Sequence, residues 1–147
     1  MRAVDPIPLV RTALRVTLAA AFLSAVADRF GWWAPLGQGS WGSMAAFADY
    51  TRQLVPLASG WLLTAIVWTS TVTEAALAVL LLTGWRPQII GTAAALVLAI
   101  FGTAMAISLG IETPFSYSVY TAASAAAAYA VLGRTTPEPV QLPGDIP

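Results

Sequence analysis

The sequence predicts an all-α membrane protein: a bundle of four spanning helices with a short interfacial helix in the first long loop. Three observations carry that prediction. Hydrophobic types make up 58% of the 147 residues, and mean hydropathy is +0.74. Only fourteen residues are charged, seven of each sign, about 10% against the ~25% of an ordinary soluble domain. Four long apolar stretches recur along the chain, separated by Gly and Pro punctuation. A small soluble domain must cover a large surface with polar groups, and fourteen charges do not suffice.

The first apolar stretch runs from about Pro8 to Ala27 and the second from about Leu57 to Leu82. The third runs from about Gln88 to Leu109 and the fourth from about Phe115 to Leu132. Each is close to the ~20 residues that cross a hydrocarbon core. Gly84-Trp85-Arg86-Pro87 stops the second helix at a glycine and restarts the third at a proline. Gly110-Ile111-Glu112-Thr113-Pro114 separates the third from the fourth, with Thr113 expected as the N-cap. Short connections make these neighbours antiparallel.

The stretch from Asp28 to Pro56 is the long loop. Within it, residues 43–54 read as a helix with Met44, Phe47, Thr51 and Leu54 on one face, and Asp49 and Arg52 off that face. Such a segment suits the membrane interface, as do the nearby Trp32, Trp33 and Trp41. Residues 1–132 form a single four-span domain, and residues 133–147, with four prolines, are expected to be a disordered cytoplasmic tail.

Every basic residue is arginine. Arg2, Arg11, Arg86 and Arg134 fall on one side of a four-span topology; Arg29 and Arg52 fall on the other, offset by Asp28, Asp49 and Glu112. The positive-inside rule then puts both termini in the cytoplasm, in a bacterial inner membrane. A rival reading takes residues 1–27 as a cleaved signal peptide ending in Ala25-Val26-Ala27, with Arg15 inside its apolar run as the argument against.

Small residues repeat every four positions: Gly91, Ala95, Ala99 and Thr103; Gly102, Ala106 and Gly110; and Ser118, Ala122, Ala126 and Ala130. They point to close helix packing within the bundle, with a homo-oligomer interface as the alternative. Arg15 and Glu74 are the ionisable residues within spans, roughly 10 Å and 16 Å from the same end at 1.5 Å per residue. A charge at that depth needs a partner, so an Arg15–Glu74 ion pair is expected, either as a structural register lock or as an anchor for a ligand or proton step.

Chemistry is restricted by what is missing. With no cysteine and no histidine, thiol chemistry, histidine-ligated haem, typical zinc sites and His-based triads are excluded. No metal site is expected. Zero net charge and no basic patch argue against nucleic acid. The long loop and the third connection bring Asp28, Arg29, Trp32, Trp33, Glu112, Tyr117 and Tyr120 to one face. Tyr117 and Tyr120, three apart on a helix, are expected to face one cavity. A flat quinone head stacking on the Trp rings is one reading; an interfacial aromatic belt is the other.

Several segments in order resemble the DoxX-like family of small bacterial membrane proteins. They are Ala27-Asp28-Arg29-Phe30-Gly31-Trp32, Trp41-Gly42 with Phe47 and Tyr50, Thr73-Glu74 with Leu80–Gly84, Met105 to Gly110, and Pro114–Tyr120. The similarity covers about residues 10–132. It implies a four-helix membrane bundle, with the family's intramembrane Arg and Glu mapping onto Arg15 and Glu74. It also implies an accessory role in a quinone-linked membrane oxidoreductase or oxidative-stress complex, beside a soluble or membrane redox partner. No covalent cofactor is implied. A non-catalytic membrane anchor or assembly factor is the alternative, and a small transporter or lipid-handling protein the third reading.

Overall fold

The computed structural model describes residues 5–134. Among them every regular element is helical. Helix α1 spans Ile7–Arg29, and a short 3₁₀ turn at Ala34–Leu36 leads to α2, Met44–Leu54. Helix α3 spans Gly60–Thr83 and α4 Pro87–Leu109; α5, Thr113–Ser116, is one turn; α6 spans Val119–Leu132. The predicted tail beyond residue 134 lies outside the described residues.

Helices α1, α3 and α4 are each long and apolar enough to cross a membrane. Their outer faces carry Leu9 and Val16, Val72 and Val79, and Leu96 and Ile107, all exposed. Large apolar side chains on the outside of a folded bundle fit lipid rather than water. The α3–α4 turn is as the sequence reads: Gly84 caps α3 in the left-handed region at φ 68°, and Pro87 opens α4.

Three boundaries differ from the sequence reading. Thr113 is the first residue of α5, not its N-cap, and its hydroxyl donates back to the Leu109 carbonyl at 3.2 Å. The fourth apolar stretch is interrupted at Ser118, which sits at φ 55° and divides α5 from α6. That leaves α6 with 14 residues, roughly 21 Å of helix at 1.5 Å per residue. Finally, α1 ends well inside the bundle. Its last residue bonds to Thr71 and Glu74, eleven and fourteen positions beyond the start of α3.

Helix α2 occupies the space beyond the end of α1. Ser43 caps it, accepting from the Ala46 N–H at 3.1 Å. Phe47, Thr51 and Leu54 are buried on the predicted face, while Asp49 and Arg52 form an exposed ion pair at 3.0 Å. Phe47 packs with Ala58, Leu63 and Val67. The end of α2 is tied to α4 by the Ser108 hydroxyl, which donates to the Leu54 carbonyl at 2.8 Å.

Small residues let α4 and α6 come together. A Cβ on Gly91 would lie 2.8 Å from the Ala130 backbone nitrogen and 2.9 Å from the Ala126 carbonyl oxygen. On α4 the buried set is Ile90, Gly91, Ala94, Gly102 and Met105, while Thr103 is exposed. A strict four-residue stripe drifts off a face that repeats every 3.6 residues, so of the first predicted row only Gly91 is buried, while Gly102 of the second and Ala126 and Ala130 of the third are buried too.

Candidate functional site

The site is built around the last turn of α1. Asp28 and Arg29 are adjacent, both buried, and serve different partners. The Asp28 carboxylate accepts backbone N–H bonds from Ser40 and Trp41, each at 2.9 Å, and from Gly42 at 3.2 Å. Bonds of this kind to an ionised acceptor are among the stronger ones in proteins. Gly39, at φ 111°, lets the loop close over the acid: a Cβ there would overlap Asp28 Oδ1. The carboxylate therefore folds the Gly-rich loop onto the end of α1 and leaves little of itself for a ligand.

Arg29 is 2% exposed. Its Nη2 donates to both carboxylate oxygens of Glu74 at 2.8 Å, and its Nη1 donates to the Thr71 hydroxyl at 2.9 Å. The guanidinium carbon lies 3.7 Å from the Phe47 ring centroid and 5.4 Å from that of Trp41. Aromatic faces and a carboxylate together suit a desolvated cation. The Nε–H is buried and has no hydrogen-bond partner.

Glu74 is thus paired, but with Arg29 and not with Arg15. Arg15 lies beside Gly84, at the far end of α3, ten positions from Glu74 and roughly 15 Å away along the axis. The expected pair counted depth on α1 and α3 from one common cytoplasmic level, which α1 does not keep. Because it stops level with the middle of α3, its terminal arginine reaches Glu74 first.

Arg29 and Glu74 line a cavity of about 610 Å³ between α1, α2, α3, α4 and α6, open on one side. Its walls are mostly apolar, with Phe22, Leu98, Ile100 and Phe101 among them. Thr69, Ser70, Thr73 and Tyr117 add a few polar groups. A largely apolar cavity with a few convergent polar groups is the usual form of a small-molecule site. Trp41, Phe47 and Phe101 belong to the cavity's aromatic lining, and Tyr50 packs on Trp41 and Phe101, with ring centroids 4.9–6.3 Å apart in this cluster. Burial pushes the Tyr50 phenol above its ordinary value of 10.0, with Tyr117 adding to the shift, so it stays a neutral donor.

Of the seven residues predicted for the ligand face, Arg29 and Tyr117 line the cavity. The others do not. Asp28 is committed to the loop. Trp32 is 73% exposed, and the Trp33 indole N–H donates to the Ser24 carbonyl at 3.2 Å. Glu112 is exposed and accepts from the Ser116 hydroxyl. Tyr120 leaves its expected partner because the break at Ser118 changes the helix phase; it packs on Phe115, centroids 5.3 Å apart, and against Gly102. Sequence reasoning missed Phe47 and Thr71 as partners of Arg29. The signal for Phe47 was present, since it falls on the apolar face of α2. The signal for Thr71 was its place one turn before Glu74.

Comparisons with family models, curated proteins and solved structures found no match for this chain. Among the described residues, no group of three or more acidic, histidine or cysteine side chains gathers as a metal site. What the fold and the site define is a helical, membrane-type protein with a buried ion pair on the wall of an apolar cavity.

Proposed function

We propose that this chain is a four-span protein of a bacterial inner membrane, and that its cavity binds the head of a membrane quinone as part of a redox complex with a partner protein. Helices α5 and α6 together supply the fourth crossing. Both termini lie in the cytoplasm, where Arg11, Arg86 and Arg134 gather. The resemblance to DoxX-like proteins supports the same reading.

The observation that carries it is the apolar cavity of about 610 Å³ with the Arg29–Glu74 pair and Tyr117 in its lining. A quinone fits the lining: a flat apolar ring for Trp41 and Phe101, and a carbonyl oxygen for the Tyr117 hydroxyl. Bound there, a quinone would supply two-electron, two-proton redox chemistry. The chain's part is to hold the ring, exclude water and keep a carboxylate, Glu74, at hand for a proton. Electrons would come from the partner.

Mass spectrometry of the protein extracted in mild detergent tests this. A copurifying quinone is expected, with occupancy falling in Tyr117→Ala and Trp41→Ala. Glu74→Gln is expected to keep quinone but lose turnover in the assembled complex. Phospholipid alone in the cavity, or a tightly held soluble enzyme with no small molecule, would refute the quinone reading, the second outcome favouring an anchor. With no native cysteine, topology is directly testable. Ser59→Cys should react with an impermeant maleimide in intact cells, and Trp85→Cys should not.

A further inference from the structure

At the opposite end of the bundle lies a second hollow, of about 260 Å³, lined by Arg11, Thr12, Arg15, Gly84, Pro87 and Tyr129. We propose that it binds a phosphate group, carried by an anionic phospholipid headgroup or by a free phosphate compound.

Arg11 and Arg15 are four apart on α1, so they project from the same face. Two like charges at that spacing repel, and the repulsion grows where solvent is reduced. Among the described residues neither arginine takes part in an ion pair; the two salt bridges there are Arg29–Glu74 and Arg52–Asp49. The acids closest in sequence are otherwise engaged. Asp5 accepts from the Ile7 N–H at 3.0 Å at the start of α1, and Asp28 accepts the loop N–H groups of Ser40, Trp41 and Gly42. The Arg15 Nε–H is buried and has no hydrogen-bond partner.

The hollow is shaped around this cation. A Cβ on Gly84 would sit 2.5 Å from Arg15 Nη1, so the guanidinium lies close against the α3–α4 turn. Nor does either arginine bond to the closing carbonyls of α3 among the described residues, so relief of that helix end does not account for both charges. Two arginines, a threonine and a tyrosine line a space with no acid in its lining. Guanidinium forks match phosphate oxygens in geometry, and basic hollows between spanning helices on the cytoplasmic side take anionic headgroups.

Native mass spectrometry of the full chain, with phosphatidylglycerol and phosphatidylcholine in competition, tests the headgroup. Thermal unfolding in detergent with added inorganic phosphate tests the free anion. Wild type is expected to retain phosphatidylglycerol about tenfold over phosphatidylcholine, with the preference lost in Arg11→Gln/Arg15→Gln and kept in Arg86→Gln. Arg86 is the control because its charge rests over the Trp85 ring, centroid distance 5.3 Å. Arg15→Lys, which keeps the charge but loses the fork, is expected to retain part of the preference. Selectivity without a phosphate-dependent shift assigns the site to lipid; a shift with inorganic phosphate shows that the phosphate group suffices. Equal retention of both lipids by wild type with no phosphate shift overturns the proposal, and so does an equal loss in Arg86→Gln. The lipid arm rests on the membrane reading above and the inorganic phosphate arm does not, so the two failures are distinguishable.

Discussion

Removing Glu74 should cost far more than removing the whole Arg29–Glu74 couple. In Glu74→Leu, the Arg29 guanidinium stays buried at 2% exposure, keeps Thr71 at 2.9 Å, and loses its counter-charge at 2.8 Å. Breaking a buried pair from one side typically costs ~3–5 kcal/mol, because the remaining charge is uncompensated. In Arg29→Met/Glu74→Leu both charges are gone, and Met can follow the old arginine path against Phe47. Apolar replacement of a buried pair is often neutral or better, so the double variant should lie within ~1 kcal/mol of wild type. The assay is reversible unfolding in mixed micelles, titrated with a denaturing detergent and followed by circular dichroism. A third variant, Arg15→Met/Glu74→Leu, should show additive losses within ~0.5 kcal/mol, since those sites share no partner. If Arg29→Met/Glu74→Leu instead loses the sum of its single variants, or if Arg15 and Glu74 prove coupled, the geometry argued for the end of α1 is wrong.

Asp28→Ala removes the acceptor of three loop N–H groups, and at ~1 kcal/mol or more for each it should destabilise by ~3 kcal/mol. Limited proteolysis should then cut within residues 37–43, a stretch the wild type protects. Gly91→Val should cost ~1–3 kcal/mol in the same unfolding assay, because its Cβ meets Ala130 and Ala126 backbone atoms; Leu96→Ala, on the exposed side of α4, should be nearly silent. The raised Tyr50 value means that the folded state disfavours the phenolate. Its contribution is complete below the ordinary 10.0 and is lost as pH rises through the higher folded value. Tyr50→Phe should therefore lessen the alkaline fall in stability, and equal pH profiles for the two proteins would argue against the burial of this phenol.

The three long helices were legible because lipid-facing segments are apolar all round and because Gly84 and Pro87 punctuate their ends. The packed face of α2 was also legible, since Phe47, Thr51 and Leu54 repeat at helical spacing beside charges that fall off the face. The pairing of Glu74 was not. Depth counted from helix ends presumes that neighbouring helices start and stop level, and α1 is offset along α3. Nothing in Ala27-Asp28-Arg29 announces that the helix ends against the middle of α3; that follows from the loop folding back through the Asp28 bonds. Tyr120 was misplaced for a similar reason. One residue, Ser118 at φ 55°, resets the helical phase, and a serine carries no signal for the left-handed region.

Asp28 and Arg29 also make the chain sensitive to changes of length. An insertion of one residue in α1 before them would turn both side chains by about 100° and shift them 1.5 Å, since each residue advances a helix by that much. The acid would lose the loop and the arginine would lose Glu74 in the same event. One residue added near Gly37 and Gln38, which are exposed and follow the 3₁₀ turn, leaves both contacts in place. Insertions and deletions should therefore be tolerated around residues 35–38 and rejected within the α1 helix, so that α1 works as a ruler whose length sets where the charged turn arrives.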